Sequence, residues 1–449
     1  MSSESRLEAL TETRSRTAAT KGYEILTKLF DDGAFTEIDS FAGSCGGYAE
    51  VVAGRGTIGG TGVYAFAQNM DVSGGAMSKA QAAKIKKVYD LALKTGAPVI
   101  AVYDSIGGRI EEGSDLLGAY GDVLKYSNNL SGVVPQISLV LGQCCGVQAM
   151  IAVSGDIVIM SGNAALTLNT DGSDSDAAGN AAHGTAHIVK KTDDEAIAEA
   201  RKLIGMLPSN NLDFAGTVEF DAPQDDGKDV ISSVLDGGSE IPMQTEYGKS
   251  VRTVIGTVEG TTVGIVSTED KILDSRGCSK AARFVRFCDA FGIPVITLVD
   301  SERFECIKSA AKLSSAYAEA TTAKITVVTG EAYGAVYIAL AGTGAAADIT
   351  FAWNDASISA LAPEAAAVVA LGDDLGGKLR GEKDPREARK KVVAEFRDSE
   401  LTAMKAAQCG YVQDVILPSE TRGKIVAAVD MLSDKRVSTL PKKHNNLYI

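Results

Sequence analysis

Short apolar runs typical of strands alternate along this chain with stretches in which apolar residues recur about every three to four positions, as in amphipathic helices. The segments 56–67 (GTIGGTGVYAFA) and 256–267 (GTVEGTTVGIVS) each predict a strand, a tight turn and a second strand. The segments 78–105 and 279–301 each predict an amphipathic helix, a glycine stop, and a buried strand that ends in Asp-Ser. The two sets follow the same order, which indicates an internal duplication.

The duplication continues further along the chain. The segment 135–149 (PQISLVLGQCCGVQA) parallels 323–337 (AKITVVTGEAYGAVY), and 156–166 parallels 348–358. Strands that alternate with helices predict α/β units. We therefore predict an α/β fold built as a tandem duplication, with one domain over 1–215, a polar joint, and a second domain over 225–449. The leading polar segment MSSESRLEALTETRSRT predicts a helix.

Each half contains an apolar strand, a G-x-x-x-G turn, and small residues that open a helix: GQCCGVQA in the first half and GEAYGAVY in the second. Backbone N–H groups at a helix start have no intrahelical partner, so such a turn can hold an oxyanion. The alternative is that glycine only fits a tight strand–helix turn. The repetition favours a functional role. Cys144 and Cys145 in the first turn are then packing residues, and a reactive thiol is the less favoured alternative.

Bulk properties restrict the classes of function. The chain has 449 residues, 45% hydrophobic and 23% charged, with a net charge of −14. This charge argues against nucleic acid as the main partner, because phosphate contacts need clustered Lys and Arg. Seven cysteines without a regular spacing predict reduced thiols and a cytoplasmic protein. No apolar run is long enough to predict a membrane span.

Several local matches to known motifs have simpler explanations. GRGTIG (54–59) resembles a dinucleotide-binding turn, but a strand pattern follows it, which predicts a hairpin. GDDLGGKL (372–379) resembles a phosphate loop, but it lacks the Ser or Thr for Mg²⁺, and we predict an exposed loop. Ala403-Met404-Lys405 resembles a biotin attachment motif, but it lies in a predicted helix, so biotin is expected on another protein. His183 and His187 have a zinc-like spacing without a third ligand, so we predict no metal site.

Longer stretches show a resemblance that covers almost the whole chain, in order. The chain resembles the carboxyltransferase (β) subunit of biotin-dependent acyl-CoA carboxylases, including the methylmalonyl-CoA decarboxylase α-subunit type. The matching stretches are 92–113 apart from Ile106, SGVVPQISLVLG (131–142), LPSNNL (207–212), 279–300, SAYAEATTAKITVVT (315–329), AYGAVYIA (332–339), GYVQDVILPSETR (410–422) and PKKHNN (441–446).

The resemblance implies two crotonase-like (ClpP/crotonase) domains. It implies that the first turn, Gly146 and Val147, binds the enolate oxygen of an acyl-CoA thioester. The second turn, Gly334, Ala335 and Val336, would bind the ureido oxygen of biotin. The further residues that it places at the substrate and biotin sites are Gly107, Gly108, Tyr333, Tyr337 and Ile338. No nucleophilic side chain is needed, which suits a chain with three histidines.

The activity implied is transfer of carboxylate between biotin on a carrier protein and the α-carbon of a short acyl-CoA. The acyl group (acetyl, propionyl, malonyl or methylmalonyl) and the direction stay open. The implied partners are a biotin carboxyl carrier protein and either a biotin carboxylase or a membrane decarboxylase β-subunit. The resemblance implies a homodimer, and it leaves open a hexamer built as a trimer of dimers.

Departures from the family pattern leave a second hypothesis open. Val147 and Ala335 stand where the family has glycine, and a positive φ at Val147 would be strained. The segment 299–312 (VDSERFECIKSAAK) omits the family's long loop after Val-Asp. Arg109, Arg283 and Arg286 are either surface charges or anchors for CoA phosphates. The alternative to an active enzyme is a divergent, non-catalytic or repurposed paralogue that acts as a structural partner.

Overall fold

A computed structural model describes residues 3–43, 50–169, 175–223, 229–379 and 384–437 of the chain. It divides into two compact units, Met1–Val218 and Glu219–Ile449. Cys45 and the PKKHNN stretch lie outside the described residues. Within those ranges, no helix has both the length and the apolar character that a membrane crossing requires.

The first unit alternates helices and strands as the periodicity predicts, and it begins with the expected leading helix. Its helices are α1 (Ser3–Ala18), α2 (Lys21–Leu29), α3 (Lys79–Thr95), α4 (Asp115–Leu130), α5 (Val147–Val153), α6 (Ala177–Ala182) and α7 (Asp193–Met206). Its strands are β1 (Phe35–Glu37), β2 (Val51–Ile58), β3 (Thr61–Gln68), β4 (Val99–Ser105), β5 (Gln136–Cys145), β6 (Ile157–Ser161), β7 (Ala165–Thr167) and β8 (Ile188–Lys190).

The described strands of the first unit form one sheet in the order β1-β2-β3-β4-β5-β6-β8, with β7 paired to the end of β5. The pairs from β3 onward are parallel, as crossover helices require, and β1, β2 and β3 are antiparallel. The GRGTIG match lies in the β2–β3 hairpin, which confirms the hairpin prediction. Apolar side chains of β2 to β6 pack against α3 and α4 to form the core.

The second unit repeats this architecture. Its helices are α8 (Val230–Val234), α9 (Ser275–Ala290), α10 (Ile307–Glu319), α11 (Ala335–Leu340), α12 (Pro363–Leu371), α13 (Asp373–Leu379), α14 (Pro385–Glu400), α15 (Ala403–Gln408) and α16 (Thr421–Met431). Its strands are β9 (Ile241–Met243), β10 (Val251–Val258), β11 (Thr261–Thr268), β12 (Ile272–Leu273), β13 (Val295–Ser301), β14 (Arg303–Phe304), β15 (Lys324–Tyr333), β16 (Ile349–Trp353), β17 (Ser357–Ser359) and β18 (Asp414–Ile416). Short 3₁₀ turns lie at Asp31–Gly33, Ser73–Gly75, Ile110–Glu112 and Pro418–Glu420.

The main sheet of the second unit has the order β18-β16-β15-β13-β11-β10-β9, with β17 paired to the end of β15. Read from β9 to β18, this order matches the first sheet read from β1 to β8, strand for strand. The match confirms the predicted α/β duplication. Both sheets also share an irregularity. The parallel register shifts just before the last pair, so that Ser105 faces Cys144 in one sheet and Ser301 faces Ala332 in the other. Such bulges redirect the chain that follows, and here each spans the first glycine of the G-x-x-x-G segment, Gly142 or Gly330.

One prediction for the second unit is wrong. Residues 372–379 were expected to form an exposed loop, but Asp373–Leu379 is helix α13. Asp373 and Asp374 occupy its first turn, where carboxylates favour a helix start, and Leu375 is buried. The Ala403-Met404-Lys405 match opens helix α15, as predicted.

Candidate functional site

The first turn joins β5 to α5 through Gly146, which has φ +72° and ψ −143°. A side chain disfavours this conformation, so the turn needs glycine here. A Cβ at this position would meet no atom within 4 Å, so the turn faces open space. The N–H of Gly146 donates to the carbonyl oxygen of Thr167 at 2.9 Å. This bond fixes the turn against β7 and engages the glycine's own amide.

The second turn joins β15 to α11 in the same way. Gly334 has φ +46° and ψ −112°, and its N–H donates to the carbonyl oxygen of Ser359, at the end of β17, at 2.9 Å. The two turns therefore share their glycine conformation, their brace to a short neighbouring strand, and the helix that follows.

The free donors at each turn are the first amides of the helix. Val147 begins α5 and Ala335 begins α11, and neither amide has a hydrogen-bond partner within the ranges that the structure describes. Val147 is 37% exposed and Ala335 is exposed, whereas the Val336 side chain is buried. Neither Val147 nor Ala335 has a positive φ. The strain considered for Val147 is therefore absent, because Gly146 takes the left-handed conformation instead.

A buried carboxylate is hydrogen-bonded to the backbone at the start of the first turn. Asp104, at the end of β4, accepts a hydrogen bond from the N–H of Gln143 at 3.2 Å and one from Lys21 Nζ at 3.0 Å. Gly142 leaves room for this carboxylate, since a Cβ there would lie 1.9 Å from Asp104 Oδ1. Burial opposes the charge of Lys21, but the hydrogen bond to Asp104 and the surrounding carboxylates raise its pKa overall.

The second turn has the matching support. Asp300, at the end of β13, accepts from the N–H of Glu331 at 2.8 Å and from Lys271 Nζ at 2.5 Å. A Cβ on Gly330 would lie 2.2 Å from Asp300 Oδ1. Burial lowers the pKa of Lys271, but hydrogen bonds to Asp300 and Glu331 outweigh it and raise the pKa. The sequence showed Asp-Ser at both strand ends, yet we had not assigned those aspartates or the two lysines to the site.

The loop after β4 carries Gly107 and Gly108 beside the first turn. Gly107 donates its N–H to Ser105 Oγ at 3.2 Å and accepts from the N–H of Met77 at 2.8 Å. Gly108 forms an isolated parallel bridge with Met77. Because Ser105 pairs with Cys144, this loop lies next to the turn, as a role in the same site requires.

The three residues expected beside the second turn, Tyr333, Tyr337 and Ile338, lie there but differ in accessibility. Tyr333 is buried, and its hydroxyl donates to Glu331 Oε1 at 3.1 Å. Tyr337 donates its hydroxyl to the carbonyl oxygen of Tyr411 at 2.7 Å. Ile338 is 63% exposed and is the side chain of this group that a ligand can reach directly.

The thiols of the first turn are not activated. Cys144 is fully buried, and burial raises the pKa of its thiol well above the usual range. Burial also raises the pKa of Cys145. A thiolate is the reactive form of cysteine, so both residues fit the packing role. The six cysteines in the described ranges are free.

Two of the three candidate arginine anchors form ion pairs within the protein. Arg109 pairs with the buried Glu50 at 2.5 Å and donates to Ser73 Oγ at 2.9 Å. Arg286 pairs with Glu319 at 3.4 Å. His187 Nδ1 accepts from the N–H of Val158 at 3.0 Å, which gives that histidine a structural role. Among the described residues, no group of three His, Cys, Asp or Glu side chains could hold a metal ion.

Comparison with known proteins identifies relatives along the whole chain. The family model described as carboxyl transferase domain matches residues 22–447. The methylmalonyl-CoA decarboxylase subunit alpha of Veillonella parvula is 36% identical, over 94% of this chain and 92% of that protein. The carboxyltransferase subunit of propionyl-CoA carboxylase from Haloferax mediterranei is 33% identical, over 94% and 92%.

A solved structure is similar over the same length. The transcarboxylase 12S hexamer, determined with hydrolysed methylmalonyl-coenzyme A bound, is 33% identical and superposes with a TM-score of 0.90 over 99% of both chains. This similarity confirms the crotonase-like fold class that the sequence resemblance implied.

Proposed function

This chain belongs to the carboxyl transferase family, and from that premise we propose that it is an enzyme that transfers carboxylate between biotin on a carrier protein and the α-carbon of an acyl-CoA of the propionyl/methylmalonyl type. The observation on which this rests is the pair of strand–glycine–helix turns, in each of which the first helical residue is exposed and its amide has no hydrogen-bond partner among the described residues. The alternative of a non-catalytic paralogue is not favoured, because the substitutions at Val147 and Ala335 preserve the backbone donors.

In this proposal, each turn binds one of the two reactants. The N–H of Val147 donates to the thioester oxygen of the acyl-CoA, where negative charge develops as the α-proton leaves. The N–H of Ala335, with that of Val336, donates to the ureido oxygen of biotin. Preorganised amides of this kind stabilise charge without reorganising at the moment of reaction. The 1–215 domain is thus the acyl-CoA side and the 225–449 domain the biotin side.

The surrounding residues fit this chemistry. A Cβ at Gly146 would meet no atom within 4 Å, so a thioester can approach the turn closely. When bound, carboxybiotin supplies the CO₂ and, once decarboxylated, the base for the α-proton. The protein's own part is to orient the reactants on the helix amides, and Asp104 and Asp300 keep the turns in place through the amides of Gln143 and Glu331.

The relatives support a proposal about assembly and partners. Transcarboxylase 12S forms a hexamer, and we propose that this chain assembles as a homodimer or as a hexamer built from dimers. A biotin carboxyl carrier protein would deliver biotin, together with a biotin carboxylase or a membrane decarboxylase β-subunit. Free thiols in the described ranges support a cytoplasmic location.

The direct test is transfer of labelled carboxylate from methylmalonyl-CoA or malonyl-CoA to free biotin by the purified protein. We expect labelled carboxybiotin, with the preferred thioester naming the substrate. If neither thioester, nor a wider panel offered with a biotinylated carrier domain, gives transfer while a family member does, the enzymatic proposal fails and the structural-partner hypothesis replaces it.

A further inference from the structure

An open cavity of about 450 Å³ lies beside the first turn. It is lined by α5 and the residue after it, by β7 and the residue after it, and by residues in and after α6. The lining residues are Ala149, Met150, Val153, Ser154, Leu166, Thr167, Leu168, Asn180 and Thr185. Its volume lies within the range of small-molecule sites.

The cavity is adjacent to the turn. Thr167 lines it and also accepts the N–H of Gly146 at 2.9 Å. Met150 lies one helical turn after Val147, on the same face of α5. A group whose carbonyl oxygen accepts from the N–H of Val147 therefore has the cavity alongside it.

The lining is chemically apolar. None of the nine residues is charged, and the polar side chains largely bond to the backbone. Ser154 Oγ donates to the carbonyl oxygen of Met150 at 2.9 Å, and Thr167 Oγ1 donates to that of Asn169 at 2.6 Å. Asn180 Nδ2 donates to the carbonyl oxygen of Leu166 at 3.0 Å, among others. A charged or strongly polar ligand would lose its water here without compensation.

The accessible surface comes mainly from hydrophobic side chains. Met150 is 45% exposed, Val153 39% and Leu168 58%, which is unusual for three neighbouring apolar residues. A hydrocarbon chain would cover this surface, whereas the phosphates of CoA would not be tolerated.

We propose that this cavity binds the hydrocarbon chain of acyl-CoA substrates longer than propionyl-CoA, and that Val153 and Leu168 limit the chain length. The inference rests on the proposed function for the assignment of acyl-CoA to the first turn. It extends that function from short acyl groups to longer hydrocarbon chains.

The test is a binding series with CoA and with propionyl-, butyryl-, hexanoyl- and octanoyl-CoA, measured by calorimetry on the full-length protein. Each methylene that enters the cavity should tighten Kd about fourfold, which corresponds to the ~0.8 kcal/mol of burying one CH₂. Equal Kd values for propionyl- and octanoyl-CoA would overturn the proposal.

The variant Val153→Trp should remove the gain beyond butyryl-CoA while leaving propionyl-CoA binding within about twofold, because the indole fills the cavity. Val189→Trp is the matched control, since Val189 is also 39% exposed but lies on β8, outside the cavity. A Val153→Trp protein that keeps the octanoyl preference contradicts the proposal. Should that variant misfold, Leu168→Trp, at a more exposed position, serves as the second block.

Failure of the proposed function gives a different pattern. If carboxyl transfer is absent with every thioester but the chain-length gain in Kd appears and Val153→Trp abolishes it, the cavity is an acyl site in a protein with another reaction. If transfer occurs with propionyl- or methylmalonyl-CoA but Kd is independent of chain length, the function stands and the cavity assignment is refuted.

Discussion

Gly146 and Gly334 act through their conformation. Each has a positive φ, each donates its own N–H to a neighbouring strand, and each thereby directs the next amide outward. In the proposed function, the donors to the ligand are the backbone amides of Val147 and Ala335, so their side chains take no part in the hydrogen bond. The pattern G-x-x-x-G locates the turn, but it does not reveal which amide is engaged, because Thr167 and Ser359 come from a later part of the chain.

The Val147 amide can be removed by one substitution. Proline is tolerated at the first position of a helix, where no intrahelical bond is lost. Val147→Pro should therefore fold but lower kcat for carboxyl transfer about 10²–10³-fold, as expected for loss of one oxyanion donor. Steady-state transfer to biotin measures this. Val147→Ala, which keeps the N–H, should stay within about threefold of the wild type. Equal losses in both variants would mean that the side chain acts instead of the amide.

Gly142 is the residue that lets Asp104 reach the turn. An alanine Cβ would lie 1.9 Å from the carboxylate oxygen, and that side chain is 4% exposed, so it has little room to move. We expect Gly142→Ala to lower the unfolding free energy by about 1–3 kcal/mol through overpacking. Transfer should fall at least tenfold, because the Gln143–Val147 segment shifts.

A neutral control for this substitution lies on helix α4. A Cβ on Gly121 would meet no atom within 4 Å, and the residue is exposed. Gly121→Ala should leave transfer unchanged and stabilise the helix by about 0.5–1 kcal/mol. Full activity in Gly142→Ala, with transfer kinetics like those of Gly121→Ala, would show that Asp104 does not position the turn.

At the level of elements, each unit contains the same arrangement of three groups, here called the clasp: an aspartate, a backbone amide of a hairpin turn and an arginine of a helix. In the first unit, Asp31 accepts from the N–H of Gly60 in the β2–β3 turn at 3.2 Å and from Arg201 of α7 at 2.8 Å. In the second, Asp236 accepts from the N–H of Gly260 at 2.8 Å and from Arg422 of α16 at 2.6 Å. Both arginines also donate to a backbone carbonyl two residues before the aspartate, that of Leu29 or Val234. The clasp ties the last helix described in each unit to its first long hairpin.

The second clasp should contribute strongly to stability. The Asp236 side chain is fully buried and Arg422 is 20% exposed, so Asp236→Asn leaves a buried cation without its counter-charge. We expect a loss of about 2–4 kcal/mol in unfolding free energy at neutral pH. Urea unfolding followed by circular dichroism measures it. Asp31→Asn should have a smaller effect, because the Asp31 and Arg201 side chains are 25% and 32% exposed.

The contribution of Asp236 to stability should decrease at acidic pH. Burial would raise the pKa of Asp236, but hydrogen bonds from Arg422 and from the amides of Gly260 and Glu259 outweigh it and lower the pKa below its ordinary 3.8. A carboxyl whose folded pKa is lowered stabilises above its unfolded pKa and loses that contribution as pH falls. The difference between wild type and Asp236→Asn should therefore be constant above about pH 5 and shrink below pH 4. A constant difference down to pH 2 would contradict this role.

The elements were predictable to different degrees for physical reasons. The hairpins, crossover helices and buried strands follow from hydrophobic period and glycine position, which are local properties. Helix α13 was not predicted because its sequence contains two glycines, which disfavour a helix. Packing of Leu375 and the aspartates at the helix start stabilise it instead. The clasps were not predicted either, since Asp31 and Arg201 are brought together only by the fold.

For the whole molecule, the composition limits how copies can associate. Each chain carries a net charge of −14, so association needs enough apolar burial to offset repulsion. Helix α12 offers such a surface. Its sequence PEAAAVVAL is almost entirely apolar, yet Ala367 is its one buried residue, and Val368 and Val369 are 43% and 74% exposed. Helix α12 packs against α14 through part of its surface, and the apolar face that stays exposed is typical of a subunit interface.

A charge placed on this helix should prevent assembly. We expect Val369→Asp to convert the proposed dimer or hexamer into smaller species, because an interface core excludes unpaired charge. Sedimentation velocity on the purified protein measures the change. Met431→Asp is the matched control: Met431 is 72% exposed on α16, and this variant should keep the wild-type assembly. If Val369→Asp sediments as the wild type does, α12 lies outside the interface. If Met431→Asp dissociates as well, the loss reflects added negative charge on the whole chain, and α12 has no special role.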